Sequence, residues 1–160
     1  MKTITSITFL LFIAITFSSW SEPESCEHSA TEFKCVKYLK NYDGDTITFD
    51  IPNVHPVIGK KVSVRVNGID TAEVRTKDQC EKESARAARK LVKNLLKRAK
   101  RIDLKNIERG KYFRIVADVI VDGKNLKDIL ISNRLAYSYD GSKKPKTDWC
   151  EMGRLPAQDH

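Results

Sequence analysis

Apolar and polar positions alternate in several short stretches of the chain and recur at a longer period in one. Thr46-Ile47-Thr48-Phe49 is rich in β-branched and aromatic residues and reads as a strand. Pro52, Asn53, Pro56 and Gly59 then mark a long loop. In Lys61–Val66 the alternation turns Val62, Val64 and Val66 toward a core, and Ser63 and Arg65 to the opposite side. From 81 to 101 the period changes. Ala85, Ala88, Leu91, Val92, Leu95, Leu96 and Ala99 recur at steps of three and four, which predicts an amphipathic helix. Its other face carries Arg86, Arg89, Lys90, Lys93, Lys97 and Arg98, the ordinary dress of a solvated helix face. Ile102–Leu104 reads as a short strand. Phe113–Val121 reads as a longer one, with Phe113, Ile115, Ala117, Val119 and Val121 on one side and Arg114 on the other. Asp122-Gly123 makes a turn, and Asn125 caps a short helix bearing Leu126, Ile129 and Leu130, with Asp128 in its first turn. Strands, one long helix, more strands and a short helix predict an α+β fold. A five-stranded OB-type β-barrel with attached helices closes such strands compactly.

The first residues stand apart from this pattern. Lys2 is followed by an apolar run, Ile7 to Phe17, and then by Ser18, Ser19, Trp20 and Ser21. A basic start, a short apolar run and small residues describe a secretory signal peptide over residues 1–21, cleaved after Ser21. The run is shorter than the about 20 residues of a membrane span, so we expect no stable membrane association after cleavage. The expected organisation is then an N-terminal extension over 22–36, a domain over 37–150 and a C-terminal tail over 151–160. We expect a monomer.

Charge and cysteines sharpen the picture. The chain carries a formal net charge of +8, falling to +7 when residues 1–21 leave with their one lysine. A basic domain of this size suits a polyanionic partner. Its four cysteines, Cys26, Cys35, Cys80 and Cys150, form an even set in an exported chain, which points to two disulfides. Three pairings are open on sequence. We expect Cys26–Cys35, pinning the new N-terminus, and Cys80–Cys150, pinning the chain's end to the start of the long helix. Zinc is the competing use of these residues, but Cys26, His28 and Cys35 lack the paired short spacings of zinc modules. The histidines are His28, His55 and His160, none in a catalytic-looking motif, and neither a nucleophile elbow nor a phosphate-binding glycine loop occurs.

Three short segments place charge at predicted strand ends: Asp43-Gly44-Asp45-Thr46, Arg65 through Asp70-Thr71-Ala72-Glu73, and Lys111-Tyr112-Phe113-Arg114. Each alone is an ordinary turn or a solvated side chain, and the first lacks the offsets of a helix–loop–helix calcium site. Together, in this order and spacing, they resemble the thermonuclease family, whose prototype is staphylococcal nuclease. The resemblance covers roughly residues 37–140. It includes the Arg-to-Asp-Thr-x-Glu spacing without gaps, and Arg134-Leu135-Ala136 where the family has Gly-Leu-Ala. Tyr139-Asp140-Gly141 and Asp148-Trp149-Cys150 look like its cysteine-containing bacterial branch.

The resemblance implies an OB-type barrel that hydrolyses phosphodiester bonds in DNA and RNA with calcium, leaving 3′-phosphates. It assigns metal binding to Asp45, Asp70 and the Thr71 carbonyl, the general base to Glu73, and the grip on the scissile phosphate to Arg65 and Arg114. Asp43 would support the metal ligands from behind, and Lys111, Tyr112 and Tyr137 would line the nucleotide site. The chemistry is consistent. Calcium accepts irregular cages of carboxylate and carbonyl oxygens. Guanidinium groups stay protonated and present forked donors that suit phosphate. Ala72 stands where the family has a proline, and the Pro52–Gly59 loop is longer than the prototype's. The rival reading is a catalytically silent nucleic-acid-binding barrel, since OB folds often bind without cutting.

Overall fold

The computed structural model describes residues 25–110 and 114–154. The predicted signal peptide, Lys111, Tyr112 and Phe113 lie outside these residues. Three antiparallel strands form the first half of the sheet: β1 (Lys37–Asn41), β2 (Thr46–Asp50) and β3 (Val62–Val66). Strand β4 (Ile69–Thr71) leaves this sheet, and α2 (Gln79–Arg98) follows it; the one-turn helix α1 (Pro56–Gly59) interrupts the loop between β2 and β3. β5 (Ile102–Arg109) and β6 (Ile115–Val121) pair antiparallel, and β6 lies parallel to β3, giving the order β1-β2-β3-β6-β5.

The path then closes on itself. Phe33 and Leu104 exchange backbone hydrogen bonds of 2.9 and 2.7 Å, and the Val36 amide donates to the Ile102 carbonyl at 2.9 Å. The free edge of β5 thus meets the segment feeding β1, and five strands become an OB-type barrel without an open edge on that side. Beyond β6 come β7 (Lys124–Asn125), α3 (Leu126–Ser132), β8 (Ala136–Ser138) and α4 (Trp149–Arg154). β8 pairs with β4 in a second, two-stranded sheet.

The alternating positions fill the barrel. Ile47, Phe49, Val64, Val66, Leu104, Ala117 and Val119 are buried, capped by Val92 and Leu96 of α2 and by Leu126 and Leu130 of α3. Each large apolar side chain so buried contributes roughly 1.5–3 kcal/mol. The basic face of α2 is exposed along its length. Asp78 caps the helix by accepting the Glu81 amide at 2.8 Å, and Asn125 caps α3 by accepting the Lys127 amide at 2.9 Å. A smaller cluster of Ala72, Ala85 and Trp149, with Val74, Cys80, Tyr137 and Met152 against it, lies beside the N-terminal end of α2. Cys26 is joined to Cys35 and Cys80 to Cys150.

Several features differ from the sequence reading, beginning with β1, β4 and β8, which it does not predict. The strand expected over Ile102–Leu104 runs to Arg109, because a bulge near Asn106 (φ 50°) breaks the alternation that would have revealed it. The loop after Pro52 contains α1. The segment expected as a tail from 151 begins inside α4, whose Met152 packs on the smaller cluster.

Gly44 is a close joint between barrel and helix. A Cβ there would lie 2.8 Å from the Ala88 Cβ and 2.8 Å from the Thr71 Cγ2. Replacing it with alanine should cost about 1–3 kcal/mol, the usual penalty of overpacking. Urea unfolding of Gly44→Ala measures this, and an unchanged midpoint would refute the close approach.

Candidate active site

The site begins with a turn that orders its own carboxylates. Between β1 and β2 the Asp43 Oδ1 accepts the backbone N–H groups of Asp45 (3.1 Å) and Thr46 (2.7 Å), so aspartate mimics a backbone turn. The buried Asn41 donates its Nδ2 to the Asp43 carbonyl (2.7 Å) and to the Arg89 carbonyl (3.1 Å), which ties the turn to α2. The Asp45 side chain is thereby aimed inward. Its Oδ1 accepts from the Thr46 hydroxyl (3.1 Å) and from Arg65 Nη1 (3.0 Å), and its Oδ2 accepts the Thr71 amide (3.1 Å).

Arg65 lies opposite Thr46 in the β2–β3 register, on the polar face that the alternation assigns to it. Its guanidinium spans two carboxylates, since Nη2 donates to Asp70 Oδ1 at 2.6 Å and to the Ile69 carbonyl at 3.2 Å. Asp70 lies opposite Tyr137 in the β4–β8 register, and the Tyr137 hydroxyl donates to Asp70 Oδ2 at 2.8 Å. The Lys144 Nζ reaches the same oxygen at 2.9 Å and Glu73 Oε1 at 3.0 Å. The side chains of Asp45 and Asp70 are only 3% and 4% exposed, whereas that of Glu73 is 58% exposed.

The electrostatics follow from this burial. Desolvation, then the negative charge of Asp43, push the Asp45 carboxyl up to about 7 against the pull of Arg65. Burial also opposes ionisation of Asp70, but hydrogen bonds from Lys144, Tyr137 and Arg65 outweigh it and hold that carboxyl below the usual range. The Tyr137 hydroxyl is pushed up to about 12 by burial and by Asp70.

One cleft of about 670 Å³ gathers Arg65, Glu73, Arg114 and Lys144 with Asp43, Tyr42 and Tyr139. Of the residues expected at the site, Asp43, Arg65, Glu73 and Arg114 line this cleft; Asp45 and Asp70 join it through Arg65, and Asp70 and Thr71 line a neighbouring cleft that shares Glu73 and Lys144. The Tyr137 ring packs beside Tyr139 and Trp149, at centroid distances of 6.5 and 5.9 Å, and lines the neighbouring cleft with Asp70 and Glu73. Lys111 and Tyr112 lie outside the described residues. The basic residues of α2 do not line the cleft.

The donors suit a hard cation. They are oxygens, their buried carboxyls outnumber the one guanidinium that joins them, and a side-chain ammonium already bridges Asp70 and Glu73 as a stand-in cation. Among the described residues no three carboxylate, histidine or cysteine side chains converge on one metal position. The fit thus rests on Asp45 and Asp70, with main-chain oxygen to complete it.

Residues 63–156, more than half of the chain, match the family described as staphylococcal nuclease homologue. The chain belongs to this family. It is also similar to a Bacillus subtilis protein, Endonuclease YncB, with 33% identity over 139 residues that cover 82% of this chain. The chain spans about three fifths (61%) of that relative's length. Family membership and the closed barrel agree on the OB fold.

Two residues of the site were not singled out from sequence. Glu81 accepts the Glu73 amide on its Oε1 at 3.2 Å and so tethers the segment carrying Glu73 to α2; its signal was Asp78-x-x-Glu81 at the helix start. Lys144 sits in Gly-Ser-Lys-Lys-Pro-Lys, where no periodicity distinguishes one lysine from the next.

Tyr137→Phe retains the ring and removes the hydroxyl from Asp70. A hydrogen bond to a charged, buried group contributes about 1.5–3 kcal/mol, so the variant should lose stability of that order. Thermal and urea unfolding without added metal measure it. A loss below a few tenths would show that Lys144 and Arg65 alone satisfy Asp70.

Proposed function

We propose that this chain is an exported, calcium-dependent nuclease that hydrolyses phosphodiester bonds in DNA and RNA without preference for the sugar. The observation that carries the reading is a cleft lined by Arg65, Arg114 and the exposed Glu73, in which Arg65 is bonded to the two buried aspartates, Asp45 and Asp70. Family membership and the nuclease named among its relatives support it. Export rests on the apolar run Ile7–Phe17 and on the two disulfides, which persist in oxidising surroundings. Among the described residues no helix is long and apolar enough to cross a membrane.

Asp45, Asp70 and the Thr71 carbonyl would hold calcium. Bound there, the ion supplies Lewis-acid charge that neutralises the phosphate's non-bridging oxygens. Arg65 and Arg114 donate forked hydrogen bonds to the same phosphate and stabilise the charge added as water attacks. Glu73, exposed on the cleft wall and held through its backbone by Glu81, orients the attacking water and accepts its proton. The P–O bond to the 5′-oxygen breaks, leaving a 3′-phosphate as the family resemblance implies. Asp43 keeps Asp45 aimed inward. Lys111 and Tyr112 belong to the nucleotide side of the site by the same resemblance, and Tyr137 acts from beneath it through Asp70. The catalytic domain begins near 37 and includes α4 (Trp149–Arg154).

Chelation should abolish digestion of single- and double-stranded DNA and of RNA, and added calcium should restore it. Full activity in excess chelator would remove the two-aspartate metal site. Glu73→Gln should lower turnover by at least about a hundredfold, the low end of general-base catalysis, while oligonucleotide affinity persists because it comes from phosphate contacts. Cleavage and binding measured on one preparation at one salt concentration decide this, since near-normal cleavage excludes Glu73 as base. Tight binding by the native protein without cleavage at any calcium concentration would favour the silent barrel.

A further inference from the structure

Lys144 belongs to the strap between β8 and α4. The strap is fixed at one end by the β4–β8 pair, where the Tyr139 amide also donates to the Gly68 carbonyl at 2.9 Å. At the other end Cys150 is bonded to Cys80 in the first turn of α2. Between these anchors the Tyr139 hydroxyl donates to the Ser142 carbonyl at 2.5 Å, and Asp140 Oδ1 accepts the Ser142 amide at 2.9 Å. The strap therefore crosses the mouth of the site along a restricted course.

Along it only Lys144 turns into the acids, 2.9 Å from Asp70 Oδ2 and 3.0 Å from Glu73 Oε1. Asp70 Oδ1 is taken by Arg65, and Lys144 sits on Oδ2, which also accepts from the Tyr137 hydroxyl. That oxygen is also what a cation between Asp70 and the cleft would need. An ammonium and a divalent cation on the same lone pairs would repel each other at contact distance. Geometry also makes the lysine displaceable. Its side chain is 47% exposed, and ion pairs of half-exposed lysines are weak. A four-carbon stem lets the head group swing into solvent.

We propose that Lys144 is a built-in competitor of calcium, whose ammonium fills the Asp70–Glu73 pair in the metal-free protein and is displaced when the ion binds. The inference rests on the calcium reading above. It gives the lysine two effects. It satisfies the buried Asp70 in the absence of metal, and it holds Glu73 paired until metal arrives, so the general base is released only in the loaded site. The calcium concentration at which the enzyme becomes active is then set by the lysine as well as by the aspartates.

The test is isothermal titration of calcium into the metal-stripped mature protein, without nucleic acid, for the native chain, Lys144→Met, Lys144→Arg and Lys143→Met. Lys143 is exposed and has no ion pair among the described residues, so it reports the effect of net charge alone. Lys144→Met should bind calcium at least about fivefold tighter, the scale set by displacing a half-exposed ion pair. Lys143→Met should change affinity by less than about twofold, and Lys144→Arg, which keeps the competing charge, should bind no tighter than the native chain. Unchanged affinity in Lys144→Met, or equal tightening by Lys143→Met, overturns the competition and leaves the calcium reading standing. Tighter binding by Lys144→Arg overturns it as well and still holds if Lys144→Met proves unstable. Absence of calcium binding in every protein overturns the calcium reading and the competition together.

Discussion

Two carboxylates with almost no exposed surface converge on one guanidinium, and much of the architecture serves to keep them there. Removing one partner from a buried ion pair costs about 3–5 kcal/mol, because the survivor is left unpaired in a poor solvent. Asp45, Arg65 and Asp70 arrive from three separate places: the turn before β2, the C-terminal end of β3 and the short β4. The β2–β3 register sets Thr46 against Arg65, and the β4–β8 register sets Asp70 against Tyr137. A slip of one residue in either pair would turn these side chains to the wrong face. The apolar core enforces both registers, since Val64 and Val66 point inward only when Arg65 points to the acids.

This arrangement buries two carboxyl groups around a single guanidinium. Asp45 remains hard to ionise despite Arg65, because desolvation and Asp43 act in the other direction. A fold selected for stability alone would place fewer acids here. Retaining them fits a site that takes positive charge from outside the barrel, from a metal ion or, in its absence, from the strap lysine.

The barrel was legible because its strands have one buried face. Val62–Val66 and the later half of the 113–121 segment alternate cleanly, and α2 follows its apolar stripe through Ala85, Ala88, Val92 and Leu96. β4 was not legible. Its three residues Ile69, Asp70 and Thr71 are all buried, so it shows no alternation, and its burial depends on β8 arriving from far along the chain. β1 failed for the opposite reason, being largely exposed apart from Asn41. The site residues became readable only as a family pattern, because an arginine on the polar face of a strand looks the same whether it faces water or two acids. Lys144 and the order in its strap come from a tether, Cys80–Cys150, whose consequence for the site cannot be read from spacing.

That tether explains how a thin region supports precise geometry. Among the described residues the cluster beneath Tyr137 has Ala72, Ala85 and Trp149 as its buried members, too few apolar groups to order a long connection against its chain entropy. The disulfide closes a segment of 70 residues, and such a loop closure is worth roughly 4 kcal/mol through the unfolded state. With it, Trp149 is held against Tyr137, Tyr137 against Asp70, and the strap across Glu73. The site is thus built between two supports of unequal kind. The barrel core fixes Asp45 and Arg65 by packing, while the cross-linked cluster fixes Tyr137 and guides Lys144. The half that would move under the proposed displacement of Lys144 is the half secured at its ends rather than throughout.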